Sequence, residues 1–503
     1  MRGFNRERFN KMNSTELEED TNREFTSDIH QNEKIFKETF QDCSDLEFRR
    51  VEDNHNNHFL VIYIENLINK KMLEEYVIKP LTSLRKENIL KEEGELKSEM
   101  LPINTSGSST KVSQIIRNIL EGDVAIIIPG RKSVMSFSIP DLPKRSLEES
   151  SSEPVIRGPK DGFIENISTN ISLIRTRLKT SKLKVEFITV GRYSQTRIAI
   201  TYLKGTAQEK IVDEVRKRLN SIQLDDVLES AYIEEFIEDQ PYSPFPQVHS
   251  TERPDVVVAE LLEGKVAIIV DTTPFVLVVP MTFWAGLQAS EDYYVRWPVA
   301  TFVRWIRFLF VNFAIFAPSL YVAITTFHQE MIPTSLVLRI AASRESVPFP
   351  AMVEALFIEI IFEALREAGI RLPKQIGQAI SIVGGLVIGQ AAVQAGLISA
   401  PVVIIVSITG ISIFTIPRYS FANGIRLLRF PMLFLAGAMG LYGIVLGVLG
   451  IILHLTSLRS FGVLYFSPIA PLKFSAMKDV LIRAPAWAKF RHSMKSKSRG
   501  NLK

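Results

Sequence analysis

The hydrophobic residues of this 503-residue chain are concentrated in its C-terminal part. No Asp, Glu, Lys or Arg occurs in the 43 residues from Gln375 to Pro417, and two shorter uncharged tracts, Phe308 to Thr326 and Phe430 to Leu458, flank them. A membrane-spanning helix needs about 20 apolar residues to cross roughly 30 Å of hydrocarbon. The central tract is therefore long enough for about two spans, with Pro401 near its middle. The pattern predicts a C-terminal part that lies in lipid and an N-terminal part that lies in water.

Four segments are predicted to cross the membrane as helices. They are about 305–327, 378–398, 400–417 and 431–455. The stretch 350–365 is also apolar but carries three glutamates, and it is compatible with crossing, with lying at the interface, or with dipping in and returning. Residues 461–471 are apolar but too short to span as a helix.

Basic and aromatic residues precede the first predicted span. These interface anchors are Arg296, Trp297, Arg304, Trp305 and Arg307. The three arginines lie within about 80° of one another on a helix of 3.6 residues per turn. Such residues mark a water–lipid interface, and the basic side is usually cytoplasmic. The basic tail after Leu472 is predicted to be cytoplasmic by the same rule, so the number of crossings should be even.

The N-terminal part contains an internal duplication. Residues 119–128 read ILEGDVAIII and residues 261–270 read LLEGKVAIIV, so LEGxVAII recurs after 142 residues. Gly122 and Gly264 are predicted to end a helix and to lead into a β-hairpin. A strand followed by a helix precedes each copy, from Phe59 and from Arg197. Two α/β subdomains of about 100 residues each are expected.

The predicted fold is that of an α+β/α membrane protein: a duplicated α/β soluble N-terminal region followed by a multi-span α-helical membrane domain of four to six segments. The predicted order is a flexible charged tail (1–45), a first α/β subdomain (46–145), a linker (146–159), a second α/β subdomain (160–290), the helical membrane domain (291–472) and a basic cytoplasmic tail (473–503).

Composition and charge argue against several functional classes. The net charge of +4 is too small to indicate nucleic-acid binding, and the basic residues lie beside apolar tracts, where membrane lipids with anionic headgroups are the expected partner. The single cysteine, Cys43, excludes an intrachain disulfide, and the N-terminus lacks the apolar core of a cleaved signal peptide. The seven histidines form no ligand set and no catalytic motif is present. We therefore expect no enzyme activity, no metal and no cofactor.

Charged residues inside the apolar stretch 348–374 form the main candidate site. Glu359, Glu363 and Arg366 lie within about 60° of one another on a helix, whereas Glu354 lies nearly opposite Glu363, in the first turn. A carboxylate inside a membrane costs on the order of 3 kcal/mol even on lenient insertion scales. Two interpretations remain open: the polar face lines a water-filled cation path in an oligomer, or the segment is an interfacial helix whose charges face water or headgroups.

Glycines recur at close spacing in the apolar tracts. The candidate packing positions are Gly385, Gly389, Gly396, Gly443 and Gly447. Small residues let helix backbones approach closely in lipid. The spacing favours helix packing, within one chain or between subunits.

Four stretches together resemble one family, the A subunits of bacterial spore germinant receptors (GerA type). They are RGPKDGFIENISTNISLIRTRLK (157–179), YLKGTA (202–207), EDYYVRW (291–297) and PFPAMVEALFIEIIFEALREAGIRLPKQIGQAISIVGGLVIGQAAVQAGLISAP (348–401). The last tract is the most specific. The resemblance covers roughly residues 40–485, and Glu354, Glu359 and Glu363 match positions of the family's motif.

This resemblance implies a multi-pass protein of the spore inner membrane with its N-terminal domain and C-terminal tail in the cytoplasm. It implies two partners: a transporter-like B subunit that binds the nutrient and a lipoprotein C subunit. It also implies a homo-oligomeric, nutrient-gated cation channel whose opening starts germination. The alternative is a scaffold that assembles the receptor and conducts no ions. The family has no catalytic residues to assign.

Overall fold

The structure is a computed structural model that describes residues 23–53, 58–82, 105–141, 153–371, 389–472, 479–485 and 487. The chain divides into two compact units. The described residues of the sheet unit lie within Met1–Pro154, Pro159–Ile237 and Ser250–Val279, and those of the helical unit lie within Val155–Gly158, Glu238–His249 and Pro280–Lys503.

Two five-stranded sheets form the framework of the sheet unit. Their strand orders are β1-β2-β4-β5-β3 and β6-β7-β9-β10-β8, so the second sheet repeats the first. The strands are β1 (Leu46–Glu52), β2 (His58–Ile64), β3 (Thr105–Ser109), β4 (Asp123–Ile127), β5 (Val134–Ser138), β6 (Leu183–Val190), β7 (Thr196–Leu203), β8 (His249–Thr251), β9 (Val266–Val270) and β10 (Val276–Val279). The predicted duplication is confirmed in the sheet unit.

Eight α-helices of the sheet unit are described. They are α1 (Ile29–Thr39), α2 (Lys70–Leu73), α3 (Lys79–Thr82), α4 (Val112–Leu120), α5 (Ile167–Arg177), α6 (Glu209–Ser221), α7 (Ser230–Ile237) and α8 (Pro254–Leu262). Helices α4 and α8 end as the repeated motif predicts, because Gly122 and Gly264 follow them with φ of +96° and +90°. Each glycine leads into an antiparallel hairpin, β4–β5 or β9–β10.

Alternation along β2 explains how the first sheet is buried. Val61 and Tyr63 face one apolar cluster, whereas Leu60, Ile62 and Ile64 face another. Successive side chains of a strand point to opposite faces, so a strand that is apolar at every position is covered on both sides.

Helix α1 lies within the segment predicted to be a flexible tail. Phe25, Ile35, Phe36 and Phe40 are buried in the cluster on one face of the first sheet. The side chain of Asp28 accepts a hydrogen bond from the backbone N–H of His30 and caps the helix. The low overall hydrophobicity of the first 45 residues concealed these few, well-spaced apolar side chains.

Six α-helices of the helical unit are described. They are α9 (Trp297–Phe327), α10 (Thr334–Arg344), α11 (Ala351–Arg371), α12 (Gly389–Gln394), α13 (Ala400–Phe414) and α14 (Tyr419–Ser457). Among the described residues, α9 and α14 are long and apolar enough to cross a membrane by length and composition. Helix α11 contains the stretch 350–365 apart from Pro350. It carries too many charged residues to meet the same composition criterion for a membrane-spanning helix.

The predicted spans agree only in part with these helices. Helix α9 contains the first span, 305–327, and α13 covers residues 400–414 of the third, 400–417. Only residues 389–398 of the second span, 378–398, lie in the described part of the chain.

The fourth predicted span, 431–455, is not one straight helix. Gly440 has φ +62° and ψ −141°, and it interrupts α14. A Cβ atom on Gly443 would lie 2.1 Å from the Leu435 carbonyl oxygen, and one on Gly447 would lie 2.3 Å from Met432 Sδ. Residues 432 and 447 would be about 22 Å apart along a straight helix. Residues 419–439 and 441–457 therefore form two antiparallel arms.

Two apolar clusters show how the helices run. One cluster joins the middle of α9, the end of α13 and both ends of α14. The other joins Val322, near the end of α9, to the starts of α11 and α13. Helix α13 consequently runs opposite to α9. Helix α11 runs opposite to the first arm of α14, because Met352 lies against Gly437 while Glu363 binds Arg426.

Candidate functional site

A network of five charged side chains lies between α11 and the first arm of α14. It consists of Glu359, Glu363, Arg366, Arg426 and Arg429, and we call it the charge network. Glu363 Oε1 accepts hydrogen bonds from Arg426 Nε at 3.0 Å and from Arg429 Nη2 at 2.8 Å. Glu363 Oε2 accepts from Arg426 Nη2 and lies 3.3 Å from Arg366 Nε. Arg429 Nη2 also lies 3.0 Å from Glu359 Oε2.

Helical spacing brings these side chains together. Residues three or four apart share one face of a helix, which places Glu359, Glu363 and Arg366 on one side of α11. Arg426 and Arg429 are likewise three residues apart on the facing arm. The sequence predicted the polar face of α11, and the structure adds its partner.

Burial makes this arrangement costly. Glu359 and Arg429 are both fully buried. Their contact is an ion pair without hydrogen bonds, because both Glu359 oxygens and Arg429 Nε and Nη1 have no hydrogen-bond partner among the described residues. A buried ion pair offsets its desolvation cost only when its remaining polar atoms are satisfied. The network also holds three guanidinium groups against two carboxylates, which is one positive charge in excess.

Glu354 belongs to a different site. Its buried carboxylate accepts a hydrogen bond from the backbone N–H of Ser399, at the start of α13, and lies 3.6 Å from Arg344 Nε. A carboxylate at a helix N-terminus is stabilised by the helix dipole. Glu354 therefore attaches the beginning of α11 to α13, away from Glu359 and Glu363.

The five predicted interface anchors fall into two groups. Arg296, Trp297 and Trp305 are exposed, as contact with headgroups requires. Arg304 and Arg307 are instead buried, and both bind the buried carboxylate of Asp292, with Arg304 Nε 2.9 Å from Asp292 Oδ2. The EDYYVRW stretch thus supplies an internal partner for these two arginines, which the helical spacing alone could not reveal.

The predicted glycine positions contact their own chain where the structure describes them. Gly443 and Gly447 lie against the first arm of α14. A Cβ atom on Gly389 would lie 3.7 Å from Val403 Cγ1, an ordinary contact distance. Gly396 has φ +65° and lies beside Ser346. Gly385 lies outside the described residues.

Sequence reasoning missed Arg426, Arg429, Arg344 and Asp292. One signal was available for the first two, because two arginines three residues apart precede an uncharged tract. Among the residues that the structure describes, no three His, Cys, Asp or Glu side chains are grouped so that they could hold a metal ion.

The fold and the site together define a class: a chain with a duplicated α/β region and an apolar helical unit that buries a charge network. The chain belongs to the GerA family, since the model of the "Bacillus/Clostridium GerA spore germination protein" matches residues 34–494. The resemblance predicted from the sequence motifs is thereby confirmed.

Similar proteins cover most of the chain. Spore germination protein KA of Bacillus subtilis (strain 168) is 44% identical over 450 residues, 88% of this chain and 82% of that protein. Spore germination protein A1 of the same organism is 39% identical, covering 92% of this chain and 95% of that protein. A protein described as uncharacterized membrane protein YfkQ, also from this organism, is 44% identical over 97% of this chain and 94% of its own length.

One solved structure is also similar. It is the crystal structure of the N-terminal domain of the A subunit of the Bacillus megaterium spore germinant receptor GerK3, with 32% identity and a TM-score of 0.42. The match covers 52% of this chain and 98% of that one.

Proposed function

We propose that this chain is the membrane A subunit of a nutrient germinant receptor in spores and forms, as a homo-oligomer, a nutrient-gated cation channel. The charge network is the observation that carries this proposal. Ionisable groups buried among apolar helices are costly, and in membranes they commonly belong to ion pathways. Family membership supports the role in germination.

The proposal includes a location and an orientation. The helical unit would cross the spore inner membrane several times, and the α/β subdomains at 46–145 and 160–290 and the tail at 473–503 would lie in the cytoplasm. Support comes from the two apolar helices and from the exposed Arg296, Trp297 and Trp305 at the start of α9. A transporter-like B subunit and a lipoprotein C subunit would complete the receptor.

Glu359 and Glu363 would act on the permeating ion through their negative charge. Carboxylates lining a narrow path attract cations and exclude anions. In this proposal Arg426 and Arg429 control whether those carboxylates are available, because both arginines are bound to them in the structure.

The alternative is a scaffold that assembles the receptor while ions pass through another protein. One observation favours it: both glutamates are paired within their own chain, and Gly443 and Gly447 pack inside one helical hairpin. In that case the network stabilises the helical unit and does not contact ions.

Cation efflux from liposomes that hold purified A, B and C subunits tests the proposal. The Glu359→Gln variant is compared with wild type, with and without nutrient, and Glu367→Gln on the exposed side of the same helix is the matched control. We expect nutrient-triggered efflux in wild type and control and a several-fold change with Glu359→Gln, because the substitution leaves Glu363 as the one carboxylate facing the three guanidinium groups of the network. A nutrient-binding wild-type complex that releases no cations would favour the scaffold.

A further inference from the structure

We propose that the charge network is a latch that keeps the conduction path closed by holding the C-terminal half of α11 against the first arm of α14. This inference rests on the proposed channel function and assigns its gate. It gives Arg426 and Arg429 a role that the sequence did not suggest, since they lie 63 and 66 residues from Glu363 along the chain.

Burial along α11 is uneven. Its buried residues all lie in the first nine positions, from Ala351 to Glu359. Beyond Glu359, Ile360 and Ile370 are more than half exposed, whereas the half-buried Phe362 lies against Gly410 and the apolar cluster that includes Val402 and Val406. A segment with few buried apolar contacts separates from its neighbours at low free-energy cost. Charge pairing therefore supplies much of the attachment of this half of the helix.

The two ends of α11 are attached differently. The N-terminal half is anchored by Glu354 on Ser399 and by Met352 against Gly437. The C-terminal half depends on Glu363 and its arginines. Such a helix can pivot near its N-terminal anchor when the network opens, and the incomplete hydrogen bonding of Arg429 and Glu359 lowers the cost of opening.

Opening would reverse the local charge. In the closed arrangement two carboxylates face three guanidinium groups, which leaves one positive charge in excess and repels cations. When α11 separates from α14, Arg426 and Arg429 leave with α14. The α11 face then keeps Glu359 and Glu363 with Arg366, which leaves one negative charge in excess. The same movement that opens the path would thus make it attractive to cations.

Charge exchange across the latch provides the main test. Glu363→Arg, Arg426→Glu and the double variant are reconstituted with the B and C subunits, and efflux is measured without nutrient. We expect each single variant to raise nutrient-independent efflux roughly tenfold or more, because breaking an ion pair that is largely shielded from water is worth about that factor. The double variant, which restores an ion pair in reversed order, should return efflux towards wild type.

Glu367→Lys is the matched control, because Glu367 lies on the same helix in an exposed pair with Arg371 outside the charge network. Its efflux should equal that of wild type. Single variants that leak no more than this control, or a double variant that leaks as much as the singles, would overturn the latch.

A distance measurement separates failure of the latch from failure of the channel. Spin labels are placed at Ile370 and Tyr419, both exposed, in a full-length Cys43→Ser background, with a reference pair at Val353 and Met439. Glu363→Arg should lengthen or broaden the first distance and leave the reference distance unchanged. An unchanged first distance overturns the latch even if wild type conducts. A silent wild-type receptor whose first distance still responds would refute the channel and retain the latch as a structural switch.

Discussion

At the scale of single residues, buried arginines organise this protein. Arg429 binds Glu359 and Glu363, Arg304 binds Asp292, and Arg175 binds Asp45. Each guanidinium is buried together with at least one carboxylate, because an unpaired buried charge would cost several kcal/mol. The sequence shows where an arginine occurs but not whether it is buried. The burial and the carboxylate partner of each of these three arginines were found only in the structure.

A half-buried carboxylate gives a pH prediction in the sheet unit. Burial alone would raise the pKa of Glu186, but hydrogen bonds from Arg216 and Tyr202 and the guanidinium charge outweigh it and lower the pKa. The pair therefore stabilises the fold above the unfolded-state pKa, and this contribution is lost as the pH falls through the lower folded-state pKa.

Glu186→Gln should consequently reduce the acid-side fall in thermal stability. We expect a difference of about 1 kcal/mol or less, because solvent screens a partly exposed pair. The measurement is the unfolding midpoint of the full chain in detergent between about pH 3 and 7. Glu209→Gln, at an exposed position, is the control, and identical pH profiles for both variants would contradict the prediction.

At the scale of elements, one glycine changes the character of the last apolar helix. Uniform hydrophobicity predicts one crossing, whereas Gly440 reverses the chain and produces two packed arms. Its φ and ψ lie in a region that is strained for residues with a Cβ. The close approach of Gly443 and Gly447 to the first arm follows from this reversal.

Gly440→Ala should destabilise the helical unit by about 1–3 kcal/mol through backbone strain. The added Cβ would also lie 2.9 Å from His328 Cε1. The first measurement is thermal stability in detergent. The second is the distance between spin labels at Phe434 and Leu446, whose backbone positions would be about 18 Å apart along a straight helix. Gly450→Ala is the control, because a Cβ there meets open space. Equal stability of the two variants would contradict the assigned strain.

At the scale of the whole sheet unit, its two subdomains are joined by a buried ion pair. Arg175 Nε and Nη2 donate to the two oxygens of Asp45 at 2.9 and 2.8 Å. Ser44 N–H donates to the Val185 carbonyl at 2.8 Å, which adds the chain near Asp45 to the edge of β6. Cys43 lies beside this pair, and burial raises the pKa of its thiol. The two subdomains are therefore in direct contact through a buried, doubly hydrogen-bonded ion pair.

Arg175→Met should therefore loosen the junction between the subdomains. Leaving Asp45 buried without its partner should cost about 3–5 kcal/mol, and Asp45→Asn combined with Arg175→Met should recover part of this loss. The measurement is urea unfolding together with the rate at which Cys43 reacts with a thiol reagent. Arg177→Gln, on the same helix but partly exposed, is the control. Protection of Cys43 as complete as in wild type would argue that other contacts hold the subdomains together.

Local patterns in the chain were sufficient to predict the repeated α/β pattern, the glycine-ended helices, the apolar helices α9 and α13 and the family. They were sufficient because alternation, helical periodicity and turn residues act between near neighbours in sequence. The docking of α1, the reversal at Gly440, the burial of Arg304 and the pairing of Glu363 with Arg426 and Arg429 required the folded chain. Those features depend on which surfaces meet across long separations, and burial then sets the strength of each charge interaction.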